Sequence, residues 1–76
     1  MIAYTSKALK FGSENFKTFL KLHKELNKLE DTLSSSTTDI YTQLELNGSL
    51  YHVSISKSND YTYINDIQKE GDNICQ

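Results

Sequence analysis

Between residues 13 and 33, apolar side chains fall at Phe16, Phe19, Leu20, Leu22, Leu26, Leu29 and Leu33, the three- and four-residue steps of one helix face. The pattern predicts a single long amphipathic helix. Gly12-Ser13 supplies a stop followed by an N-cap: the Ser13 hydroxyl can accept from an amide near Asn15 or Phe16, and Glu14 lies where the helix dipole favours an acid. Phe19, Leu22, Leu26, Leu29 and Leu33 form an a/d seam of about two heptads, shorter than a coiled coil needs. The expectation is that this seam packs on the chain's own sheet; the alternative is a helix-mediated homodimer.

A polar run at residues 34–38 then competes for backbone hydrogen bonds and ends the helix. Beyond it the period changes to two. Residues 39–46 and 49–56 alternate on either side of Asn47-Gly48, the dipeptide that best tolerates the positive φ angles of a type I′ hairpin turn. A two-residue turn fixes the register and pairs Leu46 with Ser49, Leu44 with Tyr51, Thr42 with Val53 and Ile40 with Ile55, a mostly apolar face. Glu45 with Leu50, Gln43 with His52 and Tyr41 with Ser54 form the opposite, polar face, as expected of an antiparallel sheet wet on one side.

Residues 57–60 have turn chemistry, and residues 61–67 have the β-branched and aromatic content of a third strand continuing a meander. Its facing is open, because Tyr61, Tyr63 and Ile67 alternate with Thr62 and Ile64 and either set could point inward. Ahead of the helix, residues 2–5 read as a short strand, with a helical turn over residues 5–11 as the competing reading. The expected fold class is α+β, one long amphipathic helix packed on a three- to four-stranded, mainly antiparallel β-sheet. Residues 1–67 would form the single domain and residues 68–76 a frayed polar tail.

A length of 76 residues leaves room for one core and one site. The formal charge of −2 argues against a strongly basic nucleic-acid binder, yet its distribution is uneven. Residues 1–30 carry six lysines against three acids, while residues 31–76 carry two lysines against seven acids. With one cysteine, Cys75, there is no internal disulfide scaffold, and no apolar run is long enough to span a bilayer. Residues 1–11 lack the apolar stretch of a secretory signal, so the expected setting is cytoplasmic, and Asn47-Gly48-Ser49 reads as a turn rather than a glycosylation site.

No residue spacing suggests catalysis. His23 reads as a boundary residue of the helix and His52 as a solvated strand residue, neither with a nearby nucleophile. Phosphate-binding glycine loops, HExxH and paired CxxC motifs do not occur, and Asp60, Asp66, Glu70 and Asp72 are too irregular for a calcium loop. The expectation is a protein that is not an enzyme and uses no metal or cofactor.

Two surfaces could instead bind. Lys17, Lys21, Lys24 and Lys28 step by four, three and four along one side of the helix, either a solvating face or a ridge for an acidic partner or phosphates. Without arginine's bidentate fork, nucleic-acid binding by this ridge would be weak and salt-sensitive. The second candidate is the polar sheet face, where Tyr41, Gln43, Leu50 and His52 would be joined by Tyr63 in an aromatic cluster of the sort enriched at protein interfaces. The leading expectation is a small protein-binding module, comparable in size and composition to modulators or inhibitors of host proteins carried by phages and mobile elements. A weak nucleic-acid binder and a structural homodimer are the alternatives.

Overall fold

The computed structural model describes residues 1–70 and has an α+β fold. In chain order the elements are β1 (Ile2–Tyr4), α1 (Ser6–Glu14), α2 (Phe16–Glu30), β2 (Ile40–Leu46), β3 (Ser49–Lys57) and β4 (Thr62–Lys69). The strands form one sheet in the order β1-β4-β3-β2. Asn47 and Gly48 have φ angles of 54° and 82°, so the turn between β2 and β3 has the predicted left-handed backbone. All seven β2–β3 pairs match the predicted register, from Leu46 opposite Ser49 to Ile40 opposite Ile55.

The parity of that hairpin builds the core. Tyr51, Val53 and Ile55 on β3 are buried and meet Leu22 and Leu26 of α2, Ala8 of α1, and Ile64 and Ile67 of β4. Phe19, Leu29 and Leu33 are partly buried around this cluster. The predicted seam therefore rests on the chain's own sheet. Leu22 and Leu26, 0% and 2% exposed, are not available to a second helix unless α2 detaches, which removes the physical basis of a seam-mediated homodimer.

The single long helix is corrected to two. The chain leaves helical geometry at Asn15 (φ −134°, ψ 56°), where both the Asn15 main-chain N–H and the Asn15 side-chain amide donate to Phe11 O. The break lets α1 fold back so that buried Gly12 lies against the Phe19 ring, and Gly12 is an interior packing position rather than a stop. Ser13 is not an N-cap; its hydroxyl donates to Lys10 O at 2.9 Å. The working cap is Thr5, whose Oγ1 accepts from Ala8 N–H at 3.3 Å and donates to Asn65 O at 2.7 Å, tying the start of α1 to β4. Both readings of the N-terminal segment hold, since β1 ends at Tyr4 and helix begins at Ser6.

The sheet is mixed. β1 runs parallel to β4, with Ile2 opposite Thr62, Ala3 opposite Tyr63 and Tyr4 opposite Ile64. Ser54 pairs with Asp66 but the adjacent Ile55 pairs with Ile64, so Asn65 is an extra residue on β4 and makes a β-bulge. The bulge explains why β4 fits neither simple alternation: Thr62 and Ile64 face inward before it, and Ile67 faces inward after it. β4 also runs past residue 67. Gln68 and Lys69 pair with His52 and Tyr51, and Glu70 N–H donates to Leu50 O at 2.7 Å, where a frayed tail was expected. The rest of that expected tail, residues 71–76 with Cys75, lies outside the described residues. No helix among the described residues is long and apolar enough to cross a membrane.

Two glycine substitutions separate backbone cost from packing cost. An added Cβ at Gly48 meets nothing within 4 Å. Gly48→Ala should therefore lose about 1–2 kcal/mol in urea denaturation purely from its left-handed φ. In an open helix Gly12→Ala would gain up to about 1 kcal/mol. Here the new methyl would sit 3.0 Å from the Phe19 ring, itself held at 4.9 Å from the Tyr4 ring, so Gly12→Ala should lose stability and Phe19→Leu in the same chain should recover part of it.

Candidate functional site

Both helices pack on one side of the sheet, and the other side is left to side chains that the β2–β3 alternation sends outward. Two rows cross three strands there: Tyr41–Ser54–Asp66 and Gln43–His52–Gln68. Together they line a shallow groove of about 610 Å³. It presents a phenol, two amides, an imidazole, a hydroxyl and a carboxylate, a mixture of donors and acceptors on a flat base. Tyr41 is 76% exposed, which leaves its ring standing above the sheet.

Three of the groove's polar groups already have partners. His52 Nε2 is paired with the Glu70 carboxylate, and Asp66 accepts from Gln68 Nε2 at 3.0 Å and lies 3.4 Å from Lys7 Nζ. Ser54, two residues from His52 on the same face, makes no hydrogen bond to it; the histidine is engaged by an acid and has no bonded nucleophile. Among the described residues no group of three or more His, Cys, Asp or Glu side chains is placed to hold a metal ion.

The sequence-predicted face residues divide between two places. Tyr41, Gln43 and His52 share the groove. Leu50 lies one row nearer the turn, partly buried beside Glu45 and Glu70. Tyr63 does face outward, but beside Ser56 and against the tilted ring of Tyr61 at 5.7 Å, so the expected cluster with Tyr41 is replaced by a separate Tyr61–Tyr63 pair. Ser54, Asp66 and Gln68 complete the groove without having been singled out. Ser54 could have been found from the hairpin register, whereas Asp66 and Gln68 become neighbours only through the bulge.

The lysine row is exposed on α2, as its spacing requires. It does not stand wholly apart from the sheet. Lys21 Nζ donates to Asn47 Oδ1 at 2.8 Å, and Lys28 lies 3.4 Å from Glu25, an exposed pair of little energetic weight. Lys21, Lys24 and Lys28 border Leu46 at the end of β2. Lys17 projects from the first turn of α2.

Proton affinity is shifted at Glu30 and at Tyr4. The ammonium of Met1 beside Glu30 holds that carboxyl below the ordinary glutamate value, with Thr62 and Lys57 acting in the same direction and burial opposing them. This cluster closes the end of the core, where Lys57 Nζ donates to Thr62 Oγ1 at 3.0 Å. Burial pushes the Tyr4 phenol up to about 12. The Tyr4 hydroxyl and His23 Nδ1 share a hydrogen bond of 2.5 Å. His23 thus anchors β1 to α2.

The Tyr4 shift fixes a sign. An acid whose folded pKa is raised stabilises the fold below its unfolded pKa, and that contribution is lost as pH climbs from about 10 toward 12. Tyr4→Phe should lower stability by about 1 kcal/mol at pH 7 through the lost hydrogen bond. Across the alkaline window its stability should fall less steeply than that of the wild type, and denaturation curves at pH 7, 10 and 11.5 read both effects. Compared with protein families, with curated proteins and with solved structures, the chain finds no match.

Proposed function

We propose that the chain is a non-enzymatic protein-binding module that occupies a surface of another protein with its uncovered sheet face, acting in the cytoplasm. The observation that carries this reading is the asymmetry of the fold: two helices cover one face, and the other presents Tyr41, Gln43 and His52 on a rigid three-strand base. Tyrosine contributes large contact area at low conformational-entropy cost, and flat faces suit protein surfaces better than small substrates. Leu50 and the Tyr61–Tyr63 pair extend the same face toward its two ends. Modulation or inhibition of the bound protein, as by small proteins of phages and mobile elements, is the form of action that fits a module without chemistry of its own.

The lysine row supports a second reading, a weak nucleic-acid binder. Four exposed lysines on one helix give phosphate attraction but no base readout.

Affinity capture from the source cell, repeated with variants, separates the two readings. Tyr41→Ala and His52→Ala should weaken capture of the partner protein about tenfold or more, the loss expected of a central aromatic contact. Lys21→Glu with Lys24→Glu should leave it intact. A captured nucleic acid whose binding collapses with salt and with the lysine pair, and which ignores Tyr41→Ala, would overturn the sheet-face reading.

A further inference from the structure

The parity that sorts side chains between faces also decides where the β2 main chain points. With a two-residue turn, Leu46–Ser49 is a mutually hydrogen-bonded pair, and so are Leu44–Tyr51, Thr42–Val53 and Ile40–Ile55. Tyr41, Gln43 and Glu45 fall at the alternate positions, so their N–H and C=O groups project away from β3 along the margin of the sheet. Among the described residues, no hydrogen bond reaches those three from outside the hairpin.

Natural sheets guard such a margin with lysine, proline, a bulge or a very short strand. β2 has no lysine, proline or bulge and a single charge, Glu45; it is seven residues of IYTQLEL in unbroken register with β3. Its inward side chains are also incompletely covered. Ile40, Leu44 and Leu46 are only partly buried, whereas Tyr51, Val53 and Ile55 across the ladder are 6% exposed or less. The core is unfinished along this one side.

We infer that a second copy of the chain finishes it, β2 pairing antiparallel with the copy's β2 about a two-fold axis at Gln43. The strand is complementary to itself in that register. Gln43 meets Gln43, Tyr41 meets Glu45, Thr42 meets Leu44 and Ile40 meets Leu46. The outward-pointing main-chain groups of 41, 43 and 45 then bond one another, Ile40 meets Leu46 in an apolar inward pair while Thr42 lies beside Leu44, and Glu45 faces a phenol rather than its own counterpart. One step further, Asp39, which accepts from Ser56 Oγ at 3.0 Å, comes opposite the copy's turn residue Asn47. A second copy brings Leu46 to Ile40 and a phenol to Glu45 at both ends of the strand, a match that the two-fold supplies without any further partner. The interface uses the strand's margin and not the sheet face, so it stands independently of the reading above.

Sedimentation equilibrium of the full chain over a wide concentration range tests the inference with no other protein present. The wild type should pass from monomer to dimer as concentration rises. Gln43→Lys places like charges opposite each other at the axis and should weaken self-association about tenfold or more. Gln43→Pro removes an outward N–H while sparing every β2–β3 hydrogen bond, and should also be monomeric. In the wild type itself, amide exchange at Tyr41, Gln43 and Glu45 should slow as the dimer fills, a readout that needs no variant to fold. A wild type that stays monomeric throughout overturns the inference, and if Gln43→Lys then binds an acidic peptide, a foreign strand is the occupant. So does a dimer indifferent to both Gln43 variants with fast-exchanging β2 amides, which would assign self-association to another surface such as exposed Phe16 and Leu20.

Discussion

Positive φ angles at Asn47 and Gly48 set the parity on which the rest of this structure depends. A two-residue turn admits one register, and a slip of one residue would send Tyr51, Val53 and Ile55 into solvent while burying His52 and Ser54 without hydrogen-bond partners. With the register fixed, β3 offers the helices an apolar strip and the same alternation leaves polar groups on the opposite side. Face, core and strand margin are three consequences of one local backbone choice.

Around that hairpin the N-terminal half is fastened by a few polar contacts as well as by burial. Thr5 is the clearest case: one hydroxyl caps α1 and binds the β4 bulge, so a helix terminus and an irregularity in the sheet stabilise each other. Tyr4 and His23 join β1 to α2 on one side of the core, and Lys57, Thr62 and Glu30 close its end. These contacts span large sequence separations. They fix where the helices lie over the sheet, which burial alone leaves loosely specified.

The asymmetry between the two faces bears on function more than any individual residue does. A sheet covered on one side by two short helices spends nearly all of its apolar side chains on that layer, and the exposed layer becomes a flat field of amides, hydroxyls and tyrosines. The groups with shifted proton affinities, Tyr4 and Glu30, belong to the structural contacts. Under the proposed reading, such a surface would recognise shape and hydrogen-bonding pattern over a broad area.

What the sequence determined by itself was local: the Asn47-Gly48 turn, all seven β2–β3 pairs and the inward leucines of α2 follow from periods of two and of about 3.6 that neighbouring residues carry. What tertiary structure decided was every feature resting on residues without a strong apolar signature or on distant pairing. α1 buries Ala8 and Gly12, too small to mark a helix face, and across the break at Asn15 Gly12 lies against Phe19. The parallel β1–β4 ladder joins residues some sixty positions apart. The bulge at Asn65 reverses the facing of β4 midway, which no fixed period can encode, and it is what brings Asp66 and Gln68 into the groove. Gln68 and Lys69 look like a tail because their side chains are exposed; their main chain belongs to a strand because β3 offers it hydrogen bonds.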